Sequence, residues 1–236
     1  MSNPYFQFKQ FTVWHDKCAM KVGTDGVLLG AWASVRNAHK ILDVGTGTGL
    51  VALMLAQRSL PDADIVALEI DKAAAGQAGE NVARSPWKKR IEVVQADFRN
   101  YQSSDKFDVI VSNPPYFVDS LECPDQQRNA ARHNDSLTYE ELLEGVAGLL
   151  AEDGAFTIVI PTDVADRVKM TAAAKNLYAA LQLNVITKPG GIPKRTLITF
   201  TFSNQECVVE ELLTELARHQ YSEEYIALTR EYYLNM

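Results

Sequence analysis

The sequence predicts an α/β fold, a mostly parallel sheet covered by helices on both faces, with an antiparallel strand near the end. Three observations predict it. Short apolar runs alternate with stretches of helical spacing through the middle of the chain. A glycine-rich turn, Asp43-Val44-Gly45-Thr46-Gly47-Thr48-Gly49, joins the first such run to the first of these helices. Two β-rich runs close the series, separated by Pro189-Gly190-Gly191-Ile192-Pro193, which reads as a hairpin and hence an antiparallel edge strand.

Residues 6–14 alternate apolar and polar side chains and predict a hairpin or cover at the N-terminus. Within residues 17–33, Thr24 or Asp25 caps a helix that turns Val27, Leu28, Ala31 and Trp32 inward. Residues 40–44 form the first strand of the alternation, and 50–58 a helix starting on the glycine turn. Residues 64–70 form the second strand and 72–84 a helix, with Asp71 as its N-cap. Residues 91–96 and 108–112 are the third and fourth strands. A helix over 139–150 ends near Gly154, which fits the residue just past a C-cap. Residues 155–160 are the fifth strand, 164–182 a helix, and 183–188 with 195–204 the hairpin. Residues 210–218 and 222–233 predict C-terminal helices.

The 236 residues suit one α/β domain with a small extension: a cover segment (1–39), a core (40–204) and a C-terminal helical extension (205–236). A hydrophobic content of 47% is enough for a full core, and no apolar run has membrane-spanning length. The N-terminus lacks the pattern of a signal peptide. Cys18, Cys123 and Cys207 are scattered, without a Cys-x-x-Cys pair, and His15, His39, His133 and His219 lack ligand spacing. Neither a disulfide framework nor a metal site is expected, and a reducing cytoplasm is the simplest location. The net charge of −7 argues against indiscriminate nucleic-acid binding. Short basic clusters exist: Lys88-Lys89-Arg90, Arg128 with Arg132 and His133, and Lys188 with Lys194-Arg195. Each reads as solvated surface unless several converge on one face, where they would form a nucleic-acid footprint.

Two segments describe one site. Gly45, Gly47 and Gly49 let the chain turn tightly and let a ligand approach the backbone. Their Gly-x-Gly-x-Gly spacing differs from the Gly-x-Gly-x-x-Gly of dinucleotide binding. Glu69 stands twenty positions beyond Gly49, at the end of an apolar strand, where a carboxylate can accept both hydroxyls of a ribose. Asp43 precedes the glycines and orders the turn. Asp97-Phe98 follows the third strand, and Asp97 reads equally as a cap or as a ligand acceptor. After the fourth strand comes Asn113-Pro114-Pro115-Tyr116. The Asn113 side-chain carbonyl and the Pro114 backbone carbonyl can accept the two N–H groups of a planar amine. The prolines offer no competing donor and keep the segment extended. Tyr116 presents a flat face for a base. Read alone, the tetrad is also an ordinary turn; its place after a strand, downstream of the glycine turn, favours the functional reading.

With these motifs, the whole chain resembles the bacterial tRNA(Val)-specific adenine N6-methyltransferases, which act on the adenosine 3′ of the anticodon. The segments that carry the resemblance are 6–14, 21–33, 43–49, Glu69, Asp97, 113–116 and Pro193-Lys194-Arg195. It implies a Rossmann-like class I methyltransferase fold, a seven-stranded sheet with an antiparallel last strand. It implies S-adenosylmethionine as cofactor, held by Asp43, Gly45, Gly47, Gly49, Glu69 and Asp97-Phe98, with Asp97 on the adenine amino group and Lys21 and Thr24 near the methionine carboxylate. It implies tRNA as partner, Asn113, Pro114 and Tyr116 as catalytic residues, and no metal; a monomer is expected. The polar stretch 117–133 reads either as a loop that orders over RNA or as plain surface.

The same tetrad serves protein glutamine N5-methyltransferases of release factors, but that group carries an N-terminal helical domain and only about forty residues precede the first strand of the alternation here. A DNA adenine methyltransferase would need a base-reading domain, and a ribosomal guanine N2-methyltransferase a duplicated one. A non-catalytic RNA-binding protein keeping the fold is opposed by the intact Gly45, Gly47, Glu69 and Asn113.

Overall fold

The computed structural model describes residues 3–18, 21–115, 137–218 and 220–236. An N-terminal hairpin, β1 (Tyr5–Gln7) and β2 (Thr12–Trp14), precedes helix α1 (Thr24–Trp32). The alternation follows: β3 (Lys40–Val44), α2 (Leu50–Arg58), β4 (Asp64–Glu69), α3 (Lys72–Ala83), β5 (Ile91–Gln95) and β6 (Phe107–Ser112). Then come α4 (Tyr139–Leu149), β7 (Leu150–Pro161), α5 (Ala165–Ala173), β8 (Tyr178–Ile186) and β9 (Arg195–Thr201). β10 (Val208–Leu213), the small hairpin β11 (Glu215–Ala217) and β12 (Gln220–Tyr221), and α6 (Glu223–Thr229) complete the chain.

The main sheet has the order β10-β8-β9-β7-β6-β3-β4-β5. All neighbours pair in parallel except β9, which runs antiparallel to both β7 and β8. The strands alternate their side chains between two cores. Ile41, Ile65, Val109 and Val159 face a layer that includes α1 and α2. Leu42, Leu68, Ile110 and Ile158 face α4 and α5. Burial on both faces is why the central strands read as continuous apolar runs.

Several expectations are corrected. The antiparallel strand is internal, and the edge is β10, an eighth strand laid parallel to β8. Residues 210–218 form β10 and β11 rather than a helix; their Glu/Leu spacing suits either state, and pairing with the open edge of β8 decides. The helix expected over 164–182 stops at Ala173, where Asn176 takes a left-handed φ of 60° and the chain enters β8. Residues 178–186 alternate toward the core, so tertiary pairing overrides the helical composition of Ala179-Ala180-Leu181-Gln182. Gly154 is not a C-cap. It lies in β7, where the register shifts from Phe107↔Leu150 to Val109↔Ala155.

The helix at residues 24–32 starts on Gly23, and neither Thr24 nor Asp25 caps it. Its other end is held by Arg58, which donates to the carbonyls of Gly30 (2.7 Å), Ala33 (2.8 Å) and Ala31. α1 and α2 approach closely at Gly30, where an added methyl would stand 2.7 Å from Met54 Sδ and 2.8 Å from Met54 Cβ. Gly30→Ala is therefore expected to cost about 1–3 kcal/mol by overpacking, partly offset by alanine's better helix propensity. Urea unfolding measures it; an unchanged midpoint would mean that the helices simply move apart.

The hairpin expected near the N-terminus is present. It packs through stacked rings, Phe8 on Phe11 at 4.7 Å and Phe8 on Tyr233 at 5.9 Å, which joins the two chain ends. Among the described residues no helix is long and apolar enough to cross a membrane.

Candidate active site

The parallel strands end side by side in the order β6-β3-β4-β5, which brings Asn113, the glycine turn, Glu69 and Asp97 to one edge of the sheet. The chain winds outward through β4 and β5, then returns to the other side of β3 as β6. The crevice between the loops after β3 and β6 is where an open α/β sheet admits a ligand.

Gly45, Gly47 and Gly49 all take left-handed φ (73°, 57° and 82°), which explains the residue type at each. The turn is anchored to the neighbouring strand, since Gly45 N–H and Thr46 N–H both donate to the Leu68 carbonyl, at 2.9 and 2.8 Å. Space around Gly45 and Gly47 is open where a side chain would be, whereas Gly49 rests against Ala78.

Asp43 lies under the turn, buried. Its Oδ2 accepts from Thr46 Oγ1 (2.6 Å) and from Ala52 N–H (3.1 Å). Burial pushes its carboxyl up to about 7, against the opposing pull of those two hydrogen bonds, with Glu69 adding to the rise. The folded state therefore holds this proton more tightly than the unfolded chain. Stability is expected to fall as pH rises from about 4 to about 7, and then to level off. Asp43→Asn keeps an acceptor and does not titrate, so its unfolding free energy should vary less across that window. Parallel slopes for the two proteins would show that Asp43 is ionised throughout.

Glu69 spans two loops. Its Oε2 accepts from Gly47 N–H at 2.8 Å and its Oε1 from Asp71 N–H at 2.9 Å. Asp71 caps α3 as expected, accepting from Ala74 N–H at 2.8 Å. Asp97 caps a short 3-10 turn (Phe98–Asn100) and grips Arg99 with both oxygens, at 2.7–3.0 Å. The hydrogen-bonded Arg99 guanidinium holds its carboxyl below the usual range. The cap reading of Asp97 is thus realised, and a ligand there would meet an acid already shared with a cation. The Phe98 side chain is a core residue, 6% exposed and pressed on Gly145, so the expected cofactor contact cannot come from its ring.

Asn113 follows β6, whose Ser112 Oγ donates to the Val44 carbonyl at 2.9 Å and ties the two loops. A methyl added at Gly26 would stand 3.7 Å from Asn113 Nδ2 and 3.0 Å from Leu50 Cδ2, so the first turns of α1 wall the crevice. Pro114 is buried and Pro115 exposed. Thr24 is exposed in the first turn of α1, and Lys21 is exposed just before it. Tyr116, the 117–133 stretch, Cys123 and the cluster Arg128, Arg132 and His133 lie outside the described residues.

The remaining basic clusters do not converge. Lys88 and Lys89 precede β5 at the opposite end of the sheet, and Arg90 is spent on the Ala63 carbonyl (3.0 Å), the Ala56 carbonyl (3.1 Å) and Ser59 Oγ (2.6 Å). Lys188, Lys194 and Arg195 sit at the same end of the sheet as Asn113, two to three strands away. Burial, with Glu69, Asp71 and Asp16 adding, pushes the Cys18 thiol up, away from a nucleophilic thiolate. Among the described residues no group of His, Cys, Asp or Glu could hold a metal.

Sequence reasoning missed Asn81. This buried side chain accepts from Trp14 N–H and donates to the carbonyls of Trp14 and Thr48, all at 2.9 Å. It joins the N-terminal hairpin to the glycine turn. The sequence of α3, which also carries Lys72, Gln77 and Glu80, offers no signal that singles it out.

Comparison with known proteins agrees with this arrangement. Residues 21–185 match the family model for the methyltransferase small domain. The chain is 81% identical over 236 residues, covering all of both chains, to the tRNA1(Val) (adenine(37)-N6)-methyltransferase of Bacteroides thetaiotaomicron. It is 46% identical over 234 residues, 99% of each chain, to the protein of that name in Aeromonas hydrophila. Among solved structures, a predicted O-methyltransferase from Agrobacterium tumefaciens aligns with a TM-score of 0.66 at 18% identity, covering 90% of this chain and all of the other, a likeness of fold alone. A chain with this sheet, this glycine turn and these full-length relatives belongs to the tRNA1(Val) (adenine(37)-N6)-methyltransferase family of small-domain methyltransferases.

Proposed function

We propose that this chain transfers a methyl group from S-adenosylmethionine to the exocyclic N6 of an adenosine in tRNA, the adenosine at position 37 of tRNA1(Val) that its relatives are named for. The observation that carries the reading is that Asn113-Pro114 follows β6 at the same sheet end as the open Gly45–Gly47 turn of the neighbouring β3 and Glu69 of β4.

The residues present suit the cofactor. Left-handed Gly45 and Gly47, open where a side chain would be, leave room for it to lie across the turn, and the Glu69 carboxylate beside them suits a ligand carrying positive charge and hydroxyl groups. When bound, S-adenosylmethionine supplies an electrophilic methyl on a sulfonium. The adenine amino nitrogen is a weak nucleophile because its lone pair is drawn into the ring. Asn113 Oδ1 and the Pro114 carbonyl accept its two N–H groups as it becomes tetrahedral, which favours the attacking geometry. Glu69 orients the ribose, with Gly47 N–H fixing the carboxylate. Tyr116 stacks on the extruded base. Orientation and fixed dipoles supply the rate as the N–C bond forms and the S–C bond breaks, with no covalent enzyme intermediate. The enzyme acts in a reducing cytoplasm as one catalytic domain.

The test is methyl transfer from labelled S-adenosylmethionine to bulk tRNA from a strain lacking the gene, read by nucleoside mass spectrometry. N6-methyladenosine in one valine tRNA is the expected product. Label absent from tRNA and present on a release-factor glutamine would move the substrate to protein.

A further inference from the structure

A second cleft, of about 890 Å³, opens beside the crevice at the same end of the sheet. Val185 near the end of β8, Lys194 and Arg195 at the start of β9, and Thr214 after β10 form its base. Its walls are aromatic: Tyr5 and Phe6 from the N-terminal hairpin, and Tyr221, Tyr225 and Tyr233 from the C-terminal segment. Asp25 also lines it, and Gly26, the next residue, faces Asn113. The first turn of α1 therefore stands between the cleft and Asn113.

The cleft suits a nucleobase. Tyr221 and Tyr225 lie 5.2 Å apart at 31°, and the hydroxyls of Tyr225 and Tyr233 meet at 3.5 Å, so the wall is a braced aromatic surface. Tyr225 is buried and supports; Tyr221, 37% exposed, offers its ring. Lys194 is exposed at the rim. Arg195 bridges to Asp25 at 3.0 Å, fixing the first turn of α1 against β9. In a chain of net charge −7, an exposed ring and an exposed lysine lining one cleft are the groups that single-stranded nucleic acid requires: stacking from the ring, phosphate neutralisation from the cation. An apolar peptide would gain little from a surface of tyrosine hydroxyls, threonines and charge.

We propose that this cleft receives a nucleobase of the tRNA next to the modified adenosine, stacked on Tyr221, with Lys194 on the adjoining phosphate. The proposal rests on the tRNA reading above and adds a second base site to it.

The experiment compares wild type, Tyr221→Ala, Tyr221→Phe and Lys194→Gln on unmodified tRNA1(Val) transcript, and on transcripts abasic at single positions flanking adenosine 37. Tyr221→Ala is expected to raise KM for tRNA about 5- to 100-fold with cofactor affinity unchanged, and Tyr221→Phe to behave as wild type. Lys194→Gln should lower the slope of log affinity against log salt by about 0.7. One abasic position should weaken wild type by a similar factor and leave Tyr221→Ala no weaker, because both remove the same stack. Tyr221 is an exposed hairpin residue, so the melting temperature of each variant serves as the control for folding. If wild type methylates the transcript and Tyr221→Ala leaves its KM unchanged, the cleft is not a base site and is free for a protein partner, while the tRNA reading stands. A loss with Tyr221→Phe as large as with Tyr221→Ala would also overturn the stack. If wild type neither binds nor methylates tRNA, both readings fall.

Discussion

Asn113→Ala is expected to lower kcat for tRNA methylation by about 10²–10³-fold, with the affinity for S-adenosylmethionine near that of wild type. The separation follows from where the residue stands. Asn113 sits after β6, separated from Glu69 at the end of β4 by the intervening β3, and its amide faces Gly26 of α1. Its proposed work is to accept an N–H of the adenine as the nitrogen takes up the methyl, an interaction that strengthens toward the transition state and so appears in kcat. Asn113→Asp also tests the chemistry. It keeps an acceptor but adds a charge, and its rate should lie between wild type and alanine. Single-turnover transfer and calorimetric titration of the cofactor are the two measurements. A variant that loses cofactor affinity and keeps its single-turnover rate would reverse the roles assigned to the two sides of the crevice.

The parallel half of the fold was legible because burial writes itself into the sequence. Residues 40–44, 64–69 and 107–112 are covered on both faces, so they carry few polar side chains, and glycine and aspartate mark their ends. The C-terminal third was not. β8 contains Ala179-Ala180-Leu181-Gln182, which favours a helix locally, and β10 contains Glu210-Glu211 because it is an edge exposed to water. Both become strands only because an edge is there to pair with, that of β9 for β8 and that of β8 for β10, a non-local fact. The charged edge also discourages pairing with another molecule.

In the site, backbone requirements were the readable part. Three glycines at left-handed φ admit few other residues, and an acid at the end of an apolar strand stands out. What escaped were side chains whose partners come from distant sequence. Asn81 reaches Trp14, 67 positions away, and Arg58 reaches the end of α1. Gly26 and Gly30 are close approaches to Leu50 and Met54, again partners from another element. Phe98 follows Asp97 in sequence, but its ring turns into the core against Gly145, which leaves only its backbone for the expected ligand contact.

Glu69→Gln is expected to weaken S-adenosylmethionine binding by about 10–150-fold, the worth of one lost charge-assisted hydrogen bond. A carboxylate has about four acceptor sites. Two are taken by Gly47 N–H and Asp71 N–H, at 2.8 and 2.9 Å, which leaves two for the ribose hydroxyls. Glutamine keeps one oxygen and turns an NH₂ toward either Gly47 or Asp71, so a donor meets a donor. The turn then loosens as the ribose loses an acceptor. Two readouts separate these effects. Loss of the ribose contact raises the cofactor Kd, while loss of the Gly47 or Asp71 bond lowers the melting temperature of the ligand-free protein. Glu69→Asp retains the charge but is one methylene short, and should lose affinity without a full loss of activity at saturating cofactor. An unchanged Kd with a lowered melting temperature would make Glu69 a brace for the glycine turn alone, with the ribose held elsewhere.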